Sequence, residues 1–160
     1  MNHASRVAGL AALGIALLVA LPLAASADGD GGNGNGMQFK HPDYVAATGF
    51  LADGRYAEAI PLLRKAIAED GPDADAYNLL GYNTRMLGRL AEALAFHEQA
   101  LSIDPEHRGA HEYIGEAYLE LGRLGKAMEH LAFLDDDCWL PCEEYGDLKE
   151  AVARYESERR

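Results

Sequence analysis

Basic residues are scarce in this chain: 14 Lys and Arg stand against 26 Asp and Glu in 160 residues, a formal net charge of −12. Such a surplus repels nucleic-acid phosphates and anionic lipid, so DNA and RNA drop out as partners, while basic ones are favoured. Serine is nearly missing after residue 27, where Ser102 and Ser157 alone remain, each in a helical context without the strand-to-helix elbow of a serine hydrolase. No glycine loop of the phosphate-cradling kind and no zinc-protease histidine pair is present. Carboxylates are plentiful, but charges on helices form a solvated face. The expectation is therefore no enzyme, no cofactor and no resident metal.

Cysteine is limited to Cys138 and Cys142, and neither lies near the N-terminus, which excludes a lipid attachment there. That terminus carries a short basic region at Arg6, an apolar run from Val7 to Leu21, Pro22, and the small-x-small site Ala25-Ser26-Ala27. Residues 1–27 read as a cleaved export signal, with a retained membrane anchor as the alternative, since the run is nearly long enough to span a bilayer of about 30 Å. Cleavage takes away Arg6 and no acidic residue, so the charge moves from −12 to −13. The expected product is periplasmic or secreted and free of the membrane. Residues 28–39 open with "DGDGGNGNG", which has no apolar side chain to bury and reads as a flexible linker. Its aspartates lack the spacing of a calcium loop.

The remainder is self-similar. "DGRY" at 53–56 returns as "LGRL" at 87–90 and at 121–124, a step of 34 residues. Ala59, Ala93 and Ala127 keep that step, as do Ala47, Gly81 and Gly115. Each unit reads as a helix hairpin. In the middle one Tyr77, Leu80, Gly81, Thr84 and Leu87 mark one face of a first helix, Gly88 ends it in the left-handed region, and Leu90, Ala93, Leu94, His97, Ala100 and Leu101 mark the inner face of a second. The small column lets packed helices approach closely. Pro61 is expected in the first turn of its helix, where no intrahelical bond is lost. Residues 142–160 carry Tyr145, Leu148, Val152 and Tyr155 on one helical stripe and read as the cap that an open-ended array needs.

This pattern resembles the tetratricopeptide repeat, of an exported bacterial type, in three units at 40–73, 74–107 and 108–141. The middle unit, "AYNLLGYNTRMLGRLAEALAFHEQALSIDP", matches most fully. Departures are Thr84 in place of an aromatic, Asp43 in place of a large apolar residue, Gly71-Pro72 in place of the closing proline, and the loss of pattern after Leu134. The resemblance implies an all-α, right-handed solenoid of seven helices. It also implies a concave groove that holds a protein or peptide partner, lined by Tyr44, Asn78 and Glu112 in one row, Thr48, Tyr82 and Glu116 in another, with Arg85 beside them. Chaperone-binding relatives place cations in these rows to clamp a terminal carboxylate. Here Glu112 and Glu116 stand instead, and a partner with basic and apolar side chains suits the row better.

Two histidines at i and i+4, His107 and His111, are the spacing of a helical metal site, but the repeat register turns His111 inward and leaves His107 at the turn. Cys138 and Cys142, an even pair in an oxidising compartment, read most simply as a disulfide fixing the joint between the third unit and the cap, with Trp139 packed into it. A thiol-dependent redox or metal-handling role centred on the pair is the second reading, although Asp135, Asp136 and Asp137 disfavour a reactive thiolate.

Overall fold

The computed structural model describes residues 40–140 and 142–159. The expected leader and linker, and the bend at residue 141, lie outside them. Within the described residues the chain forms seven α-helices and no strand: α1 (Pro42–Ala52), α2 (Tyr56–Asp70), α3 (Ala74–Met86), α4 (Leu90–Ile103), α5 (Arg108–Glu120), α6 (Leu124–Asp137) and α7 (Glu143–Ser157). They pair as α1–α2, α3–α4 and α5–α6, each pair packs on the next, and α7 lies against both α5 and α6. This is an all-α solenoid of helix hairpins.

The 34-residue step is enforced by one turn used three times. Gly54, Gly88 and Gly122 have φ of 71°, 76° and 73°, a region costly for any residue with a Cβ. Beside them the amides of Arg55, Arg89 and Arg123 donate back to Phe50, Thr84 and Tyr118 at 2.8, 3.1 and 2.8 Å. No side chain caps α2, α4 or α6, whereas the first helix of every hairpin has a side-chain cap. His41, Asp73 and His107 accept from the amides of Asp43, Ala76 and Ala110. Turn geometry thus starts one helix of each pair and side-chain chemistry the other.

Pro61 departs from expectation. The tight turn at Gly54 starts α2 at Tyr56, so Pro61 is the sixth residue of the helix and forfeits the bond to the Ala57 carbonyl. Both residues are exposed, so the carbonyl is lost on the solvent side of the helix and not in the core.

Two dry clusters sit at the ends. Ala47, Ala59, Leu63 and Leu80 form one with Tyr44, Phe50, Tyr77 and Phe96 around them. Leu119, Ala127, Leu134, Leu148, Ala151 and Val152 form the other, with Tyr145 and Tyr155 of the cap packed on it. Between them the middle hairpin buries polar groups: Asn78, Asn83, Thr84 and His97. His97 is fully buried, and its Nδ1–H donates to Asn78 Oδ1 at 2.8 Å. The small column acts here through side chains, because Gly81 makes room for the His97 ring and Gly115 for Leu148 of the cap.

Candidate functional site

The groove-side residues cluster around Arg85, the last residue but one of α3. Its side chain is 13% exposed, and the guanidinium donates to Glu116 at 2.6 Å and Glu120 at 2.7 Å, two carboxylates one turn apart on α5. It also sits 5.8 Å from the ring centres of both Tyr82 and Tyr113. Tyr82 in turn packs 5.1 Å from Tyr113 and 6.1 Å from Tyr56, so an aromatic row runs across the three hairpins. A cavity of about 350 Å³ opens here, bounded by Arg85, Glu116 and Glu120 on one side and Arg154 and Tyr155 of α7 on the other.

Glu112, one turn before Glu116, is 8% exposed and has no hydrogen-bond or ion-pair partner among the described residues. Burial, and then the neighbouring carboxylates of Glu116, Asp147 and Glu144, push its pKa up to about 8, against the opposing pull of Arg85. Burial likewise raises Glu116, but there the Arg85 guanidinium works against the rise. Two glutamates one turn apart on α5 therefore have different roles. Glu116 is neutralised from within, and Glu112 is not.

Of the residues expected in the groove, Tyr82, Arg85, Glu112 and Glu116 share this region. Tyr44 and Thr48 stand on α1: Lys40 lies 5.0 Å from the centre of the Tyr44 ring, and the Thr48 hydroxyl donates to the Val45 carbonyl at 2.7 Å. Asn78 is turned inward. At 6% exposure and bonded to His97 it belongs to the buried network, because the His97 ring that fills the space beside Gly81 needs an acceptor. Tyr113, Glu120 and Asp147 escaped the sequence reading. The column of Tyr113 holds Leu79 in the preceding unit, and Asp147 reaches the groove only because α7 docks on α5.

The two spaced histidines part company. His107 caps α5 through Nδ1, and its Nε2 meets Asp75 at 3.2 Å, a bond that raises its pKa. His111 faces inward, stacked on Phe133 with ring centres 3.7 Å apart. Its Nε2 donates to the Pro105 carbonyl at 3.1 Å, which leaves Nδ1 to accept from His130 Nδ1 at 3.0 Å. Burial lowers the pKa of both rings, His130 to about 4, so they stay neutral at neutral pH.

Cys138 ends α6, Cys142 begins α7, and a disulfide of 2.02 Å joins them. The thiol-dependent reading needs that bond open. Trp139 departs from expectation: it belongs to the loop that the disulfide closes, yet it stands 87% exposed and does not pack into the joint. The joint it was expected to fill is already occupied by Leu131, Leu134, Tyr145, Leu148 and Val152.

Two sequence models, each described as tetratricopeptide repeat, match residues 44–107 and 85–136, together more than half of the chain. The chain belongs to the tetratricopeptide-repeat family. No curated protein matches it in sequence. Among solved structures, the tetratricopeptide array is similar to a mutant of MamA, with 25% identity over 59% of this chain and 69% of that one at a TM-score of 0.55. It is also similar to the Yersinia enterocolitica type III secretion translocator chaperone SycD, with 16% identity over 73% and 83% at 0.65. A third is the second such domain of human RPAP3, solved in complex with the HSP70 peptide SGPTIEEVD, with 21% identity over 71% and 92% at 0.60.

Proposed function

We propose that this tetratricopeptide array is an exported, non-enzymatic module that holds a protein segment in the groove along α1, α3 and α5. The preferred segment carries basic and apolar side chains. The carrying observation is the sign of the charge left over in the groove. Arg85 is already bonded to Glu116 and Glu120, so Glu144 and Asp147 face an incoming ligand as uncompensated charge, and Glu112 beside them is a proton donor at neutral pH that becomes a third carboxylate when a cation enters. The aromatic row of Tyr56, Tyr82 and Tyr113 supplies the apolar surface beside it. Solved relatives lend support to the groove as a binding place: the RPAP3 domain is seen with a peptide, and SycD with a peptide of the translocator YopD. The HSP70 peptide ends in acidic residues, and the row here has the opposite preference. Export rests on the leader sequence.

Fluorescence anisotropy with paired peptides of equal length, one alternating Arg with Leu and one ending in Glu-Glu-Val-Asp, tests the reading. The basic peptide should bind more tightly, and increasingly so as salt is lowered. Tighter binding of the acidic peptide would overturn it. Intact mass of the exported chain, expected to begin at Asp28, checks the leader.

A further inference from the structure

Near the groove's end lies a second, smaller cavity of about 220 Å³, walled by Gly109, Glu112 and Tyr113 of α5 and by Glu143, Glu144 and Asp147 of α7. Four of its six lining residues are carboxylates, and none is a cation. Surface acids alone would mean little. The distinguishing member is Glu112, more than nine-tenths buried, unpartnered among the described residues, and part of the cavity wall. Its oxygens are not sealed in the core, since they are not among the buried atoms without a partner, so they open on the cavity, and among the described residues no donor meets them. That lack is met when something outside supplies the partner.

The partner's chemistry follows from the wall. A divalent ion needs several oxygens converging at 2.0–2.6 Å from one point. Among the described residues, the side chains whose ligand atoms cluster that closely are His41, Asp43 and Glu69, far along the chain, and not these four acids. Spread carboxylates with a tyrosine ring beside them fit an extended organic cation, with the charged head among the oxygens and the stem on the ring. We infer that this cavity between α5 and α7 is the acceptor for one Arg or Lys side chain of the partner segment, with Glu112 as its buried counter-ion. The inference rests on the groove reading above and assigns it a fixed point, set by the cap helix.

Proton linkage gives the site a signature. The groups facing Glu112 are Tyr113 and Glu116 on its own helix, Arg85 on α3, and Glu143, Glu144 and Asp147 on α7. With its pKa up at about 8, the empty site holds a proton at neutral pH and releases it when a guanidinium enters. Affinity for a cationic ligand that does not itself titrate therefore rises between pH 7 and pH 9.

The test uses the 15N-labelled chain from Asp28 to Arg160, titrated with the acetylated, amidated peptide Leu-Arg-Leu-Tyr and with its citrulline counterpart, which keeps the shape without the charge. The arginine peptide should shift the amides of Gly109, Glu112, Tyr113, Glu144 and Asp147. The citrulline peptide should bind about ten-fold more weakly, the loss of one charge-assisted hydrogen bond. The affinity should climb with pH in the wild-type chain and stay flat in Glu112→Gln. That variant removes an unpaired buried acid, so it should melt at or above the wild-type temperature at pH 8, which separates a binding loss from a folding loss. Equal affinity of the two peptides, or shifts confined to α1 and α3, would overturn the acceptor cavity and leave the groove reading standing. Silence of every amide to both peptides would overturn both.

Discussion

Replacing Gly81 with alanine should destabilise the protein, although alanine is the better helix former by about 1 kcal/mol. A Cβ at position 81 would lie 2.5 and 2.6 Å from the two ring nitrogens of His97 and closer still to Cε1. Non-bonded carbons rest at about 3.5–4.0 Å, so the ring has to retreat by roughly 1 Å. It has nowhere to go: it is fully buried, 5.7 Å from the Tyr113 ring and tied to Asn78. Overpacking costs about 1–3 kcal/mol, and stretching the Asn78 bond adds about 1 kcal/mol. After the gain in propensity the net loss is about 1–3 kcal/mol, a drop of about 3–10 °C in Tm for a chain of this size. Gly49 of α1 and Gly146 of α7 serve as controls, since a Cβ at either meets nothing within 4 Å. Gly49→Ala and Gly146→Ala should hold or raise stability by about 0.5–1 kcal/mol. Urea melts of the three variants decide it. A Gly81→Ala chain as stable as wild type, or one whose penalty survives in the His97→Ala background, refutes the account.

Two further outcomes follow from buried chemistry. Burial lowers His97 to about 3; the unfolded ring titrates near 6.5, so its stability is complete above pH 6.5 and is lost as pH falls toward 3. At pH 4 this amounts to at most about 3 kcal/mol, and a His97→Gln variant should lose correspondingly less stability than wild type between pH 7 and pH 4 in paired urea melts. The disulfide spans positions four apart, so converting both Cys138 and Cys142 to serine should cost about 2 kcal/mol, with helical content by circular dichroism unchanged. Collapse of the helical signal would show that the bond does more than restrain the joint.

What the sequence discloses here is what repeats. Gly54, Gly88 and Gly122 stand at a fixed step because the turn tolerates no Cβ, and a constraint imposed three times is visible without coordinates. The cap stripe is visible for a similar reason, since Leu148 and Val152 answer a helical period. The site is less legible. Its character is set by pairs 31 and 35 residues apart, Arg85 with Glu116 and Glu120, and a column pattern does not say which of two glutamates the arginine will choose. Asn78 turns to His97 and away from the groove because the register gives a residue's column but not its rotamer. Trp139 stays exposed because size and hydrophobicity argue for burial only where space is left, and five other side chains fill the joint.

The polar middle hairpin also bears on how the array moves. In a linear array, cooperativity passes only from neighbour to neighbour, so the whole is no more unified than its weakest junction. Asn83 Oδ1, Thr84 Oγ1, Arg85 Nε and His97 Nε2 are buried without hydrogen-bond partners, all within fifteen residues of that one junction. Each such atom weakens it relative to the dry clusters on either side. The expected outcome is that amide exchange in α3 and α4 outpaces that in α2 and α6. A segment lying along the groove would cross this hairpin, so its binding should appear as slower amide exchange in a core that the segment never touches.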